Sequence, residues 1–250
     1  MTELPRYDAG PAGGRRALLV HGLSSDARGW WQVAEHLEAL GWRTTAVDLR
    51  GHGAAPRADS YDIPEYAADL LHVWPGAPGQ AWDAVIAHSL GACSSLVAAA
   101  AEPGWTRRLV LIDPVLGADG RGLARIRDSI LKDKRHATRE SLTSGHPRWD
   151  ARDVQAKLDA LDCVEEGTIT ASVASPAHWQ LVDEAQGLSM PTLIVAADPE
   201  LGALARPDDV QDVTGANPQV TAVTVEGAGH SIHRDDPAAL FAPLDPFLQG

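Results

Sequence analysis

Residues 82–101 read WDAVIAHSLGACSSLVAAAA. The first part, through Ala87, is a short apolar run of the kind that is buried on both faces in a parallel sheet. From Leu90 onward the residues are small, as in a helix packed tightly against its neighbours. Ser89 stands at the join. A turn that lifts one hydroxyl clear of a sheet needs small side chains two positions before and two after it, so that strand and helix can approach. Ala87 and Gly91 fill those positions, and the stretch is predicted to be a nucleophile elbow.

Five further runs share the character of the first half: ALLV (17–20), TTAVD (44–48), RLVLID (108–113), TLIVAA (192–197) and VTAVTV (220–225). Segments with helical spacing separate them, among them WWQVAEHLEAL from Trp30, PEYAADLLHVW from Pro64 and PAALFAPLDPFL near the end. Strand and helix alternate, which predicts an α/β fold with a mostly parallel, doubly wound sheet. The rhythm breaks between Gly117 and Gly187, where two helical patterns and no strand are found. A helical cap is therefore expected over 117–187, inserted into a core formed by 1–116 and 188–250, above the strand ends where open α/β sheets bind ligands. Within it Arg121, Arg125, Arg127, Lys132, Lys134, Arg135 and Arg139 are interleaved with Asp128, Asp133 and Glu140, the pattern of a solvated helix face rather than of a site that steers anions.

The chain has 250 residues and a formal net charge of −13, a balance that repels phosphate backbones and anionic lipid surfaces. No nucleic acid or membrane partner is expected. The N-terminus lacks a basic-then-apolar leader and no apolar run approaches a membrane span, so a cytoplasmic location is expected. Cys93 and Cys163 lie far apart without metal-ligand spacing, and neither a disulfide nor a metal site is expected. Oligomeric state is not legible.

A serine hydroxyl becomes a useful nucleophile only when an adjacent base takes its proton. VEGAGHSIHRDDP (225–237) supplies His230 in a glycine-containing loop after the last strand, with His233 expected to pack or cap near the following helix start. The imidazole in turn needs a carboxylate on its other nitrogen. Asp198, at the end of TLIVAAD and followed by Pro199, ranks first; Glu200 ranks second. Asp113, in LIDP, ranks third, because an aspartate before proline commonly serves only a local turn.

These motifs, in the order serine, acid, histidine at successive strand ends, resemble the α/β-hydrolase superfamily, in its capped esterase and lactonase branch, over nearly the whole chain. The family usually has glycine where this chain has Ala87, and an antiparallel strand pair before the strand at 15–20. Here only residues 1–14 precede it, so those strands are very short or one is missing. The resemblance implies an oxyanion hole formed by the backbone N–H groups of Leu23 and Leu90. It makes His21 a structural residue, and Asp48 and His52 in DLRGHGAAP braces for the oxyanion loop. No cofactor is implied. The expected substrate is a small molecule, a fairly bulky, apolar ester or lactone, held in a pocket to which Trp30, Trp149 and Trp179 contribute. The same three catalytic groups serve amide, thioester or carbon–carbon bond hydrolysis and perhydrolysis, and relatives of this fold also act as non-catalytic receptors.

Overall fold

The computed structural model describes residues 2–250. Its strands are β1 (Arg6–Ala9), β2 (Arg15–Val20), β3 (Trp42–Val47), β4 (Ala84–His88), β5 (Leu109–Ile112), β6 (Thr192–Ala197) and β7 (Val220–Val225). They form one sheet in the order β1-β3-β2-β4-β5-β6-β7, parallel except for β1, which runs antiparallel along the edge of β3. Of the antiparallel pair implied by the family resemblance, one four-residue strand is present among the described residues.

The near-continuous apolar runs have a simple cause: both faces of the sheet are covered. Leu18, Val20, Val85, Ala87 and Leu111 point into one core, whereas Leu19, Ala84, Ile86, Val110 and Ile112 point into the other. Helices α1 (Trp31–Ala39), α2 (Ile63–Leu70) and α3 (Leu90–Ala101) alternate with the first strands. Between β5 and β6 come α4 (Gly120–His136), α5 (Arg139–Gly145), α6 (Ala151–Cys163), α7 (Glu166–Ser172) and α8 (Val182–Gln186). Side chains that accept from first-turn N–H groups start three of these: Asp119, Thr138 and Asp150. The chain closes with α9 (Pro207–Ala216), α10 (Ile232–Asp235) and α11 (Pro237–Gln249). Val33 and Leu37 of α1 and Leu240, Leu244 and Leu248 of α11 cover one face; Ile63 and Tyr66 of α2 and Leu96 of α3 cover the other. Among the described residues no helix is long and apolar enough to cross a membrane.

The approach of α3 to the sheet explains the glycine after the elbow. A Cβ at Gly91 would strike the carbonyl oxygens of Val20 and His21 at the end of β2. Gly91→Ala is expected to destabilise the fold by about 3 kcal/mol, since backbone on both sides leaves no flexible group to give way. Urea unfolding checks this: the midpoint should fall while the slope stays the same.

Candidate active site

Five parallel strands end at the same edge, and each delivers a residue there: Leu23 after β2, Ser89 after β4, Asp113 after β5, Asp198 after β6 and His230 after β7. Ser89 has φ 53° and ψ −119°, a conformation that only glycine adopts freely. It is one of three non-glycine residues with positive φ among the described residues. The others are Ser24 (φ 58°) and Asp113 (φ 44°), so all such strain gathers at this edge. Each costs about 1–3 kcal/mol, and such strain clusters where a site needs a side chain held in one direction.

Ser89 and His230 both line a cavity of about 750 Å³. His230 Nδ1 lies 2.6 Å from Asp113 Oδ2. The Asp113 carboxylate is buried and also accepts backbone N–H bonds from Leu204 (2.9 Å), Ala197 (3.1 Å) and Ala205 (3.1 Å). Burial alone would raise its pKa; the bond and charge of His230, with the N–H groups of Leu204 and Ala197, outweigh that and hold it below the ordinary carboxylate value. An ionised Asp113 requires the proton of His230 on Nδ1, which leaves Nε2 free to act as a base.

The ranking of acids from the sequence is corrected here. Asp198 accepts from Glu200 N at 2.9 Å and Gly227 N at 2.8 Å, capping a short turn at Pro199–Leu201 and clasping the loop before His230. The side chain of Glu200 is exposed. Strand order does not decide between them: β6, which carries Asp198, pairs with β7, the strand before His230, whereas β5 pairs with β4, the strand before Ser89. What separates them is that Asp198 spends both carboxylate oxygens on Glu200 N and Gly227 N, whereas Asp113, at φ 44°, keeps Oδ2 toward the imidazole.

His88, which the sequence reading passed over, buries its ring beside the loop of His230. Its Nε2 donates to the His230 carbonyl at 2.9 Å, because a carbonyl can only accept. Burial, then the neighbouring His230 and His233, hold its pKa well below the ordinary histidine value, so it stays neutral and keeps that bond. A histidine directly before Ser89 was the available signal. His233 is buried and stacked on Trp30 with ring centroids 5.0 Å apart.

Leu90 opens α3 and Leu23 borders the cavity; among the described residues neither N–H is taken by a protein acceptor. A helix N-terminus offers such free donors to developing negative charge. The Leu23 loop is braced from outside. His21 Nδ1 donates to Gly22 O at 2.8 Å, and its Nε2 accepts from Leu49 N at 3.0 Å. Asp48 accepts from Ala27 N (2.9 Å) and Ala54 N (2.8 Å), tying the loop to the turn at 48–56.

Of the tryptophans expected in the pocket, Trp149 and Trp179 line it, and Trp30 does not. Trp30 is fully buried between α1 and His233, a core position that its size suits. Val115, Ile126, Ile130 and Leu204 give the cavity an apolar wall. Of the basic cluster at 121–139, Arg125 alone lines the cavity; Arg127 pairs with Asp128 and Arg135 with Glu166 on the surface. Burial pushes the Cys93 thiol up to about 12, leaving it a packing residue of α3. Among the described residues no group of three or more His, Cys, Asp or Glu is placed to hold a metal ion.

A family model described as the alpha/beta hydrolase family matches residues 17–244. The chain is 26% identical over 249 residues to N-formylmaleamate deformylase from Pseudomonas putida, covering 94% of this chain and 89% of that protein. It is 31% identical over 162 residues to Lipase LipV from Mycobacterium tuberculosis, which covers 63% of this chain and 60% of the lipase's length. Among solved structures, the enol-lactonase from Burkholderia xenovorans superposes with a TM-score of 0.79 at 18% identity, covering 100% of this chain and 97% of that one, a likeness of fold.

Proposed function

The chain belongs to the alpha/beta hydrolase family, and we propose that within it this protein is a serine hydrolase that cleaves a carboxylic ester or lactone through an acyl-enzyme. The observation that carries the reading is the 2.6 Å contact between Asp113 and His230 at the cavity lined by the strained Ser89. His230 Nε2 takes the proton as Ser89 Oγ attacks the carbonyl. The oxyanion that forms is met by the N–H groups of Leu23 and Leu90, each such donor contributing about 2.7–4 kcal/mol of transition-state stabilisation. The protonated imidazole then gives its proton to the leaving oxygen, and Asp113 stabilises the imidazolium in between. Water repeats the cycle on the acyl-enzyme. The helices between β5 and β6 serve as a cap, since Ile126, Trp149 and Trp179 from that segment border the cavity together with Ser89.

A second reading has its own support: the relative that matches 94% of this chain is by name an N-formylmaleamate deformylase, whose name points to cleavage of a carbon–nitrogen bond. The same groups perform that cleavage with a nitrogen leaving group.

A fluorophosphonate probe is expected to label the folded protein once, at Ser89, with the adduct located by mass spectrometry. Absence of that adduct would overturn the hydrolase assignment in favour of a receptor. Matched ester and amide substrates of one acyl group then decide between the two bonds.

A further inference from the structure

The cavity holds two cations that the reaction above does not use. Arg234 is 3% exposed and lines the wall. One of its NH2 groups donates to Ser25 Oγ at 2.9 Å, and its guanidinium lies 5.0 Å from the centre of the Trp149 ring. Its Nε–H has no acceptor among the described residues. Lys157, on α6, reaches across to the neighbouring residue, donating to Ser24 Oγ at 2.8 Å and Ser24 O at 3.1 Å. Both cations thus converge on Ser24 and Ser25, the residues directly after Leu23.

Neither forms an ion pair among the described residues. The acids around Arg234 are engaged elsewhere. Asp26 holds Arg28 at 3.1 Å. Asp153 accepts from Trp31 Nε1 and Gln32 Nε2, both at 2.8 Å, and Asp235 accepts from Trp149 Nε1 at 2.7 Å. The cavity wall carries Arg125, Arg148, Lys157 and Arg234 against Asp133 and Asp235, an excess of positive charge in a chain whose formal net charge is −13. Burial, with Arg234 nearby, holds the Lys157 amine down to about 8, against the opposing pull of Asp133 and Asp26. A guanidinium taken out of water needs a partner that fits its fork of donors, and a carboxylate has that shape.

We propose that Lys157 and Arg234 form a carboxylate-binding subsite, so that the substrate is an ester whose acyl part carries a second, free carboxylate. This rests on the serine-hydrolase reading and replaces the wholly apolar substrate expected from the sequence. Ile126, Ile130, Val115 and Leu204 receive the hydrocarbon between the two carbonyl groups. Ser24 and Ser25 couple the subsite to the oxyanion loop, so a bound carboxylate sets where the scissile carbonyl falls relative to Leu23.

Two measurements on the whole chain test this. The first compares kcat/KM for 4-nitrophenyl hydrogen glutarate with that for its neutral methyl ester, which differs only at the remote carboxylate. The free acid is expected to be favoured at least about tenfold. Lys157→Met should bring that ratio toward one, and Arg234→Gln should do the same. A purely structural role would slow both substrates alike and leave the ratio standing. Equal or preferred hydrolysis of the neutral ester by a Ser89-dependent reaction overturns the subsite while sparing the hydrolase reading.

The second measurement needs no turnover: calorimetric titration of Ser89→Ala with glutarate and adipate. Binding that weakens at least about tenfold when Lys157→Met is added supports the subsite. No binding of either by a protein whose circular dichroism matches wild type overturns it, and so does preferential binding of inorganic phosphate. Dicarboxylate binding without fluorophosphonate labelling of the wild type would instead sink the hydrolase reading and leave the subsite intact. If Arg234→Gln fails to fold, Lys157→Met, on a half-buried helix position, carries both tests.

Discussion

Asp113→Asn is expected to lower kcat about 10⁴-fold, the scale seen when a triad carboxylate becomes an amide and the imidazole is left in the wrong tautomer. His230 Nδ1 faces Asp113 Oδ2 at 2.6 Å. An asparagine oxygen there would still accept, but without the charge that stabilises the imidazolium. An asparagine NH2 there would force Nδ1 to accept, which puts the proton on Nε2, where the base must be free. The amide also opposes a donor either to Leu204 N or to both Ala197 N and Ala205 N, depending on which oxygen it replaces, and each such loss costs about 1–3 kcal/mol of stability. Asp198→Asn is the control. It disturbs a turn held by Glu200 N and Gly227 N, so stability falls slightly while kcat stays near wild type. Steady-state hydrolysis of a 4-nitrophenyl ester, with urea unfolding of each variant, checks both. The opposite pattern, activity lost with Asp198 and kept with Asp113, would restore the order read from the sequence.

The same residue sets a sign for acid stability. The folded pKa of Asp113 lies below its ordinary value, so the folded state binds its proton less readily than the unfolded chain does. Its contribution is complete above a pH of about 4 and is lost as the pH falls through the folded value. Asp113→Asn should flatten that part of the acid-unfolding curve.

Ser89→Gly is expected to pull activity and stability in opposite directions. Loss of the nucleophile lowers kcat about a million-fold, to the level left by binding and the oxyanion donors. Yet the backbone at Ser89, with φ 53° and ψ −119°, lies where a Cβ is strained and glycine is not. Removing the Cβ is expected to raise folding stability by about 1 kcal/mol, the strain relieved exceeding the extra freedom of the unfolded chain. Ser89→Ala, which keeps the Cβ, should lose activity equally and gain no stability from strain relief. Differential scanning calorimetry on the three proteins checks the order, with Ser89→Gly highest in Tm. A Tm for Ser89→Gly below that of Ser89→Ala would mean that the turn is not strained. Strain held at a nucleophile is a stability cost kept because it fixes the direction of one hydroxyl.

The carboxylate subsite gives the cap a further role. Lys157 comes from α6 and Arg234 from α10, segments remote in the chain, and both end on the loop after β2. A substrate anion bound between them joins the inserted helices to the oxyanion loop. Binding and positioning for attack then become one event.

The sequence by itself determined the strands, and with them the candidate nucleophile and base. Strands buried on both faces must be apolar at every position, so each parallel strand shows as a short continuous run. An elbow serine must stand at a strand-to-helix join between small residues, and Ser89 is the residue at such a join. His230 follows the last run in a loop with Gly227 and Gly229. These signals are local, and a local pattern survives in a linear string. Tertiary structure alone decided which carboxylate meets the imidazole. Asp113, Asp198 and Glu200 all follow apolar runs, and what separates them is which carboxylate is spent on its own turn and which reaches His230. It also decided that Trp30 fills core while Trp149 and Trp179 face the cavity, and that Lys157 and Arg234 end on the neighbouring residues Ser24 and Ser25. Such facts depend on distances between segments remote in sequence, set by strand order and by where the inserted helices land, and no neighbouring residue records them.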